Sequence, residues 1–252
     1  VRQVVEEESE VDGAESYLKT LAKDVGADVK VTQAKEGIAR SIIAGAGEFP
    51  NALASLTTHG RSGLLDVALG SVALDVVRGV NRPVLIYRPR GDKRDRETQV
   101  QINNVVVALD GSSFSEAMLP FAAELAQGLK TKLTLLQTVQ PAGKESRRPR
   151  SPSADELASL VDTGIARADV MESSYLHGHA HDTRSKFGLE VEWEVLHGDA
   201  DEAIPDYVKG KRDVILAMAS HARPRLERTI FGSVTAACLR RAGVPVLVYW
   251  PH

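Results

Sequence analysis

The sequence contains an internal repeat, whose two copies lie 162 positions apart. Residues 56–89 and 218–251 agree at 12 of 34 positions without a gap. The shared residues include a histidine, a Gly-Ser-Val step, a Pro-Val-Leu step and a tyrosine, all in the same order. Because this period has the size of a domain and is too long for a solenoid repeat, it predicts two copies of one fold within the 252 residues.

Composition narrows the function classes. The chain is 43% apolar and 26% charged, which is typical of a soluble globular protein. Its net charge of −3 argues against nucleic acid or an acidic membrane as an obligate partner, since both require a basic surface. No apolar run approaches the roughly 18 residues that a bilayer-spanning helix needs. The single cysteine, Cys238, excludes a disulfide framework and is expected in the core of a helix, so we predict a cytoplasmic protein.

The order of helical and strand patterns predicts the fold class. In the first copy, apolar spacing predicts helices over 1–25, 36–47 and 70–79, and strands over 27–31, 53–57 and 83–87. In the second copy, it predicts a strand over 105–109, a helix over 115–129 and a strand over 133–139. Strands that are apolar on both faces and alternate with helices indicate a parallel sheet in a doubly wound α/β fold.

The repeat also sets the expected domain boundaries. We expect a first repeat over 1–90, a charged linker over 91–98 and a second repeat over 99–252 with a mobile loop over 141–153. Ser153 and Glu156 form a plausible capping box after that loop. Only 55 residues precede Leu56, whereas 113 separate Val105 from Met218, so we expect the first repeat to lack a strand, a helix and another strand.

Several motifs together resemble the tandem form of the universal stress protein family. They are the strand Val105–Leu109 with Asp110-Gly111-Ser112-Ser113 after it, Ser115-Glu116-Ala117, the turn Gly198-Asp199-Ala200, both copies of a glycine loop that runs nine residues to Gly-Ser, and both Pro-Val-Leu strands. The resemblance implies two repeats of a five-stranded parallel sheet with helices on both faces, in the layering of the adenine nucleotide alpha hydrolases and flavodoxins. It further implies self-association through the last strands, Pro83–Tyr87 and Pro245–Tyr249, and ATP or AMP at the strand ends.

The resemblance implies one nucleotide site in each repeat. In the first repeat the positions are Leu56, Thr57, His59, Gly60, Gly70, Ser71 and Val72. In the second repeat they are Asp110, Gly111, Val139, Met218, Ala219, His221, Gly232, Ser233 and Val234. Thr57 replaces one loop glycine in the first repeat, whereas Ala219 and Ala222 replace both in the second. If those positions require a positive φ, each alanine costs about 1 kcal/mol or more, so the first repeat is the favoured site.

Each candidate also has a structural interpretation. Gly70-Ser71 and Gly232-Ser233 could serve only as helix starts, and His59 and His221 are expected to pack rather than to contact phosphate. Asp110 could cap the following helix or receive a ribose, and the residues do not decide between these roles. His177 and His181 lie one helical turn apart, a spacing that can hold zinc, but a solvated helix face is favoured and no metal is predicted.

The sequence therefore predicts a nucleotide-responsive binding or signalling module of the stress response. The alternative is a ligand-free scaffold for dimerisation whose nucleotide sites have degenerated. An enzyme is not expected, because the sequence shows no nucleophile turn, no Gly-Lys-Ser/Thr phosphate loop and no motif of paired carboxylates; slow, incidental ATP hydrolysis stays open. The expected partners are an adenine nucleotide and a second copy of the fold.

Overall fold

The structure is a computed structural model, which describes residues 2–23, 28–34, 36–48, 53–57, 71–88, 100–139, 171, 173–220 and 231–251. In these ranges the strands are β1 (Arg2–Val5), β2 (Lys30–Gln33), β3 (Ala54–Thr57), β4 (Val84–Tyr87), β5 (Asn104–Leu109), β6 (Lys132–Val139), β7 (Val191–His197), β8 (Val214–Ala219) and β9 (Val246–Tyr249). The helices are α1 (Val11–Lys23), α2 (Ile38–Gly47), α3 (Ser71–Gly79), α4 (Ser113–Glu116), α5 (Leu119–Leu129), α6 (173–187), α7 (Ala200–Val208) and α8 (Ser233–Arg241). None of these described helices is both long enough and apolar enough to cross a membrane.

The second repeat forms a five-stranded parallel sheet in the order β9-β8-β5-β6-β7. Strand β5 lies at its centre. The five residues Val105–Leu109 are all buried, because strands flank β5 on both sides and both faces of the sheet are covered at this strand. Helix α5 packs on one face through Leu119, Ala122, Ala123 and Ala126. Helices α7 and α8 pack against each other and against β6, β7 and β9. The predicted doubly wound α/β fold is confirmed.

The closing strands of the two repeats join edge to edge. Strand β4 pairs antiparallel with β9, with Val84 opposite Val248 and Ile86 opposite Val246. Strand β3 lies beyond β4, so the sheet continues to seven strands in the order β3-β4-β9-β8-β5-β6-β7. The pairing expected between the last strands of the repeats is thus present within one chain.

The chain forms two compact units, Val1–Ala54 with Ala68–Arg82, and Ser55–Val67 with Pro83–His252. In the first unit β1 and β2 pair in parallel, with Arg2 opposite Lys30. Helix α1 contacts both strands and buries Ala14, Leu18 and Ala22, which recur at four-residue spacing on one face. Helices α2 and α3 pack against each other in the same unit.

The internal repeat is visible in the element bounds. Helices α3 and α8 span positions that are 162 residues apart at both ends, and so do β4 and β9. The order β1-α1-β2-α2-β3-α3-β4 is the same as β6-α6-β7-α7-β8-α8-β9. The similarity of 56–89 and 218–251 therefore reflects two copies of one supersecondary arrangement.

Two predicted helices differ from the structure. The helix expected over 1–25 begins only at Val11, since Arg2–Val5 pairs with β2 and a short 3₁₀ turn follows at Glu8–Glu10. The helix expected over 115–129 is two helices, α4 and α5, which meet at residues 117–118. Pro120 accounts for the break, because proline has no N–H to donate to the carbonyl four residues earlier.

Some expectations fall outside the described residues. These are the linker 91–98, the loop 141–153 and the capping box of Ser153 and Glu156. The boundaries 1–90 and 99–252 stay a prediction.

Candidate functional site

The strand order of the second repeat reverses beside β5. From β5 the chain moves outward through β6 and β7, then returns to β8 on the other side of β5. In open α/β sheets ligands occupy the crevice at the carboxyl ends of the strands at such a reversal. The register pairs Ala108 with Met218, so two residues later the chain reaches Asp110 on one strand and Ser220 on the other. These two residues flank the crevice.

Asp110 is held in a tight turn. The Ser112 N–H donates to Asp110 Oδ1 at 3.0 Å, and the Ser112 hydroxyl donates to the same oxygen. Ser112 is also the N-cap of α4, where its Oγ accepts from the Ser115 N–H at 3.2 Å. The buried Ser115 hydroxyl accepts from the Asp110 N–H at 3.2 Å. The carboxylate of Asp110 thus orders the turn, but Ser112 and not Asp110 is the N-cap of α4, and Asp110 stays exposed at the sheet edge.

Gly111 provides the conformation that this turn needs. Its φ of +79° lies in the left-handed region, which favours glycine. A Cβ at this position would lie 3.6 Å from Nε2 of Gln137. Gln137 is a residue of β6 and pairs with Leu109 of β5. The Gln137 amide therefore lies directly beside the turn that carries Asp110.

Three buried side-chain oxygens near the carboxyl ends of β6 and β8 have no hydrogen-bond partner among the described residues. Gln137 Oε1, Thr138 Oγ1 and Ser220 Oγ are buried, and no hydrogen bond to them is present in the part of the chain that the structure describes. Buried polar groups in native proteins are nearly always satisfied, so this arrangement calls for an explanation. Sequence reasoning named none of the three, because burial of a polar side chain cannot be read from its neighbours in sequence.

Strand β8 carries Met218 and Ala219 to the crevice. Met218 is buried, and Ala219 pairs with Tyr249 of β9. Lys130 is the one non-glycine residue with positive φ among the described positions, so Ala219 carries no left-handed strain. The predicted penalty for alanine therefore does not apply at position 219; His221 and Ala222 lie outside the described residues.

Helix α8 begins close to the end of β8 in sequence. Its N-cap is Gly232, which has no side chain to cap the helix. Its first turn, with Ser233 and Val234, contains no acidic residue. The unpaired N–H groups and the dipole of a helix N-terminus favour an anion. Gly232-Ser233 thus begins the helix as predicted, but no capping hydrogen bond from the serine hydroxyl is present among the described residues.

Val139 ends β6 with its side chain buried. Its carbonyl oxygen accepts from the N–H of Gly198, which has a φ of +113° and precedes α7. This bond ties the ends of β6 and β7 together, so the Val139 carbonyl already has one partner.

The candidate residues of the first repeat lie on separate elements. Leu56 and Thr57 end β3, whereas Ser71 and Val72 begin α3. His59, Gly60 and Gly70 lie outside the described residues. The helix-start role of Ser71 is confirmed, and the nucleotide site of this repeat stays a prediction.

A polar cluster joins α4 to α6. The Tyr175 hydroxyl donates to Glu116 Oε1 at 2.9 Å, and His179 Nε2 lies 3.3 Å from the same oxygen. The rings of Tyr175 and His179 meet edge to face, with centroids 4.5 Å apart. The four-residue spacing of Tyr175 and His179 on a helix was a signal that these side chains share a face, but their partner on α4 was not predictable.

The other histidines of α6 have individual surroundings. The His177 ring packs edge to face on Trp193 of β7, with centroids 5.2 Å apart. His181 is exposed, and its carbonyl accepts from the Ser185 hydroxyl. In the described ranges no three His, Cys, Asp or Glu side chains are grouped as metal ligands.

Cys238 lies fully buried in α8, as predicted. Burial raises the pKa of its thiol to about 12. A neutral, buried thiol is a poor nucleophile, so this residue offers no covalent chemistry at neutral pH.

Comparison with known proteins identifies the family of this chain. The sequence model described as "Universal stress protein family" matches residues 1–88 and 101–249. The chain belongs to the universal stress protein family. The two matched segments correspond to the two repeats.

Individual proteins of known sequence or structure are also similar to this chain. A curated universal stress protein from Synechocystis sp. is 26% identical over 181 residues, which are 72% of this chain and 51% of the relative. The chain thus spans about half the length of that relative. A functionally unknown protein from Pseudomonas aeruginosa shares the fold with a TM-score of 0.61 and 17% identity, covering 99% of this chain and 82% of that one. A universal stress protein from Archaeoglobus fulgidus has a TM-score of 0.57 and 20% sequence identity, over 98% of this chain and 81% of that one.

Proposed function

We propose that the second repeat binds an adenine nucleotide, ATP or AMP, and that the chain acts as a binding or signalling module in the stress response. The observation that carries the proposal is the buried, unpartnered hydroxyl of Ser220 in the crevice between β5 and β8. Ser220 is 2% exposed, and its N–H already donates to Tyr249 O at 2.9 Å. Its free hydroxyl would be satisfied by a polar ligand at the point where the strand order reverses.

The surroundings of Ser220 suit a nucleotide. Asp110, fixed by its turn on the opposite side of the crevice, offers a carboxylate for ribose hydroxyls. The N-terminus of α8, with no acidic residue in its first turn, offers N–H groups to phosphate. Because Ala219 is unstrained, the loss of the first loop glycine does not weigh against this site as the sequence suggested.

The first test measures bound and added nucleotide. The purified chain is denatured, the supernatant is assayed for ATP, ADP and AMP, and the nucleotide-free protein is titrated with AMP and ATP by calorimetry. We expect nucleotide to bind, and Ser220→Ala to weaken binding about fivefold to tenfold, because one net hydrogen bond is lost. No released nucleotide and no heat at millimolar ATP would contradict the proposal.

A matched pair of variants locates the site. Asp110→Asn at the carboxyl end of β5 should weaken binding by about tenfold or more, since hydrogen bonds to charged groups contribute about 1.5–3 kcal/mol. Asp213→Asn makes the same substitution immediately before β8, at the opposite end of the sheet, where Asp213 bonds Asn103. This control should leave binding unchanged, and equal losses in the two variants would place the ligand elsewhere.

The scaffold alternative rests on the β4–β9 junction, which joins the repeats without any ligand. Sedimentation of the chain with and without AMP would separate the two functions. A ligand-independent dimer with no nucleotide affinity would favour the scaffold. Association with a second chain, a cytoplasmic location and the absence of enzymatic activity stay predictions. The sequence favoured the first repeat as the nucleotide site; that preference is untested, and the proposal here is made for the second repeat.

A further inference from the structure

Gln137 is the largest of the buried unpartnered polar side chains at the site. The residue is 4% exposed, and its Oε1 has no hydrogen-bond partner in the part of the chain that the structure covers. An amide oxygen removed from water without a partner loses its hydration with no compensation.

The position of Gln137 places its amide beside the turn that follows β5. Gln137 follows Leu133 and Leu135 at two-residue spacing, so its side chain leaves the sheet on the face that α5 covers. Its Nε2 lies against Gly111, at 3.6 Å from where a Cβ would be, and therefore beside the turn that orients Asp110. The amide that carries the unsatisfied oxygen thus lies beside the turn of Asp110, the residue proposed to receive the ribose.

We infer that Gln137 reads the base of the bound nucleotide: its Oε1 accepts a hydrogen bond from the exocyclic amino group of adenine. This inference rests on the proposed nucleotide site and adds a specificity-determining residue to it. A glutamine amide offers an acceptor beside a donor, a pattern that matches the amino group and the adjacent ring nitrogen of adenine.

The same chemistry selects against purines that carry an oxygen at carbon 6. In hypoxanthine or guanine that oxygen is an acceptor, and it would face the Gln137 Oε1, which is also an acceptor. A site built to pair with an amino group rejects the analogue that lacks it, because its own buried polar group then stays unpaired. Gln137 therefore predicts selection of AMP over IMP, two ligands that differ only at this edge of the base.

The experiment compares AMP with IMP on two proteins by calorimetry. For the full wild-type chain we expect the Kd for IMP to exceed that for AMP by about tenfold or more. Gln137→Leu should weaken AMP binding and bring the two Kd values within about a factor of two, since it removes the acceptor and keeps the volume. Persistence of the AMP preference in Gln137→Leu, or equal affinities in wild type, would overturn the inference while nucleotide binding itself stands.

Stability supplies an independent readout. Because the Gln137 oxygen is unpaired, Gln137→Leu should raise the Tm of the nucleotide-free protein by about 2–4 °C. A lower Tm would show that the amide has a structural partner and would contradict the inference. Gln137→Met, of similar length, serves if the branched leucine disturbs packing, and the same convergence of Kd values is expected.

Thr131→Val is the matched control. Thr131 precedes β6 at the opposite end of the strand from Gln137, and its buried Oγ1 is likewise unpartnered. The control should also raise the Tm, but it should leave the ratio of Kd values for IMP and AMP at the wild-type level. A wild-type protein that binds neither nucleotide would overturn both the proposed function and the role of Gln137.

Discussion

Strands β3 and β8 hold equivalent places in the two repeats but have different surroundings. In β8 five successive residues, 214–218, are buried, whereas β3 alternates half-buried and exposed positions. The neighbours explain the difference, because β8 lies between β5 and β9, while β3 lies at the end of the seven-stranded sheet. Similar sequence at a fixed spacing thus specifies the same element, but the adjacent strands decide how much of it is buried.

Helices α3 and α8 show a second contrast. The last residue of α3 is Gly79, where a Cβ would come within 2.4 Å of Ile43 Cδ1 on α2. The equivalent residue of α8 is Arg241, which bonds Asp206 on α7 at 3.3 Å. The first repeat brings its helices together through the absence of a side chain, and the second links them through a charged one.

The largest expected difference between the repeats concerns Met218 and Leu56, which occupy the same repeat position. Met218→Ala removes a buried side chain and should lower the free energy of unfolding by about 2–5 kcal/mol. Leu56→Ala removes a half-buried side chain and should cost about 1 kcal/mol. Urea denaturation measures both, with Val84→Ala and Val246→Ala as a control pair of nearly equal burial and equal expected cost. Equal losses for Met218 and Leu56 would contradict the contrast between β8 and β3.

Exchanging the two helix ends should give the next largest effect. Gly79→Arg brings a Cβ against Ile43 Cδ1, the terminal atom of a flexible side chain, and should destabilise the protein by about 1–2 kcal/mol, the lower part of the range for overpacking. Arg241→Gly breaks a largely exposed ion pair and should cost about 1 kcal/mol or less. Thermal unfolding would compare them, and a reversed order would show that Arg241 contributes more than its exposed ion pair.

Cys238 and its repeat equivalent Val76 are both fully buried. Cys238→Val copies the first repeat into the second and should change stability by less than about 1.5 kcal/mol. The thiol ionises near pH 9 when unfolded but near pH 12 when buried, so its contribution to stability should decline as pH rises through that interval. Denaturation curves between pH 8 and pH 10 should show a smaller decline for Cys238→Val; identical declines would mean that the thiol is not shielded.

The smallest expected effect separates His179 from its repeat equivalent Tyr17. Tyr17 is 61% exposed, whereas His179 lies beside Glu116 and Tyr175. His179→Ala should cost about 0.5–1 kcal/mol, and Tyr17→Ala less than about 0.5 kcal/mol. Calorimetric unfolding at pH 6 would compare the stability lost in the two variants. A larger loss for Tyr17→Ala would contradict a stabilising role for the α4–α6 cluster.

The sequence by itself determined the repeat, the alternation of strands and helices and the turn residues at the end of β5. The spacing of apolar residues predicted β5, β6 and α3 closely, because the period of a helix or strand is visible in consecutive residues. The turn of Asp110 and Gly111 and the helix start at Gly232 were likewise local signals. Pro120 was a visible signal for the break between α4 and α5 that the apolar pattern concealed.

Only the tertiary structure decided the features that depend on residues distant in sequence. Arg2–Val5 became a strand because Lys30–Gln33 pairs with it, and Glu116 met Tyr175 and His179 across 59 and more positions of sequence. The unpartnered oxygens of Gln137 and Ser220 became apparent only when the sheet buried them. Burial and pairing are properties of neighbours in space, so the residues that would select a ligand were not identified until the fold brought β5, β6 and β8 together.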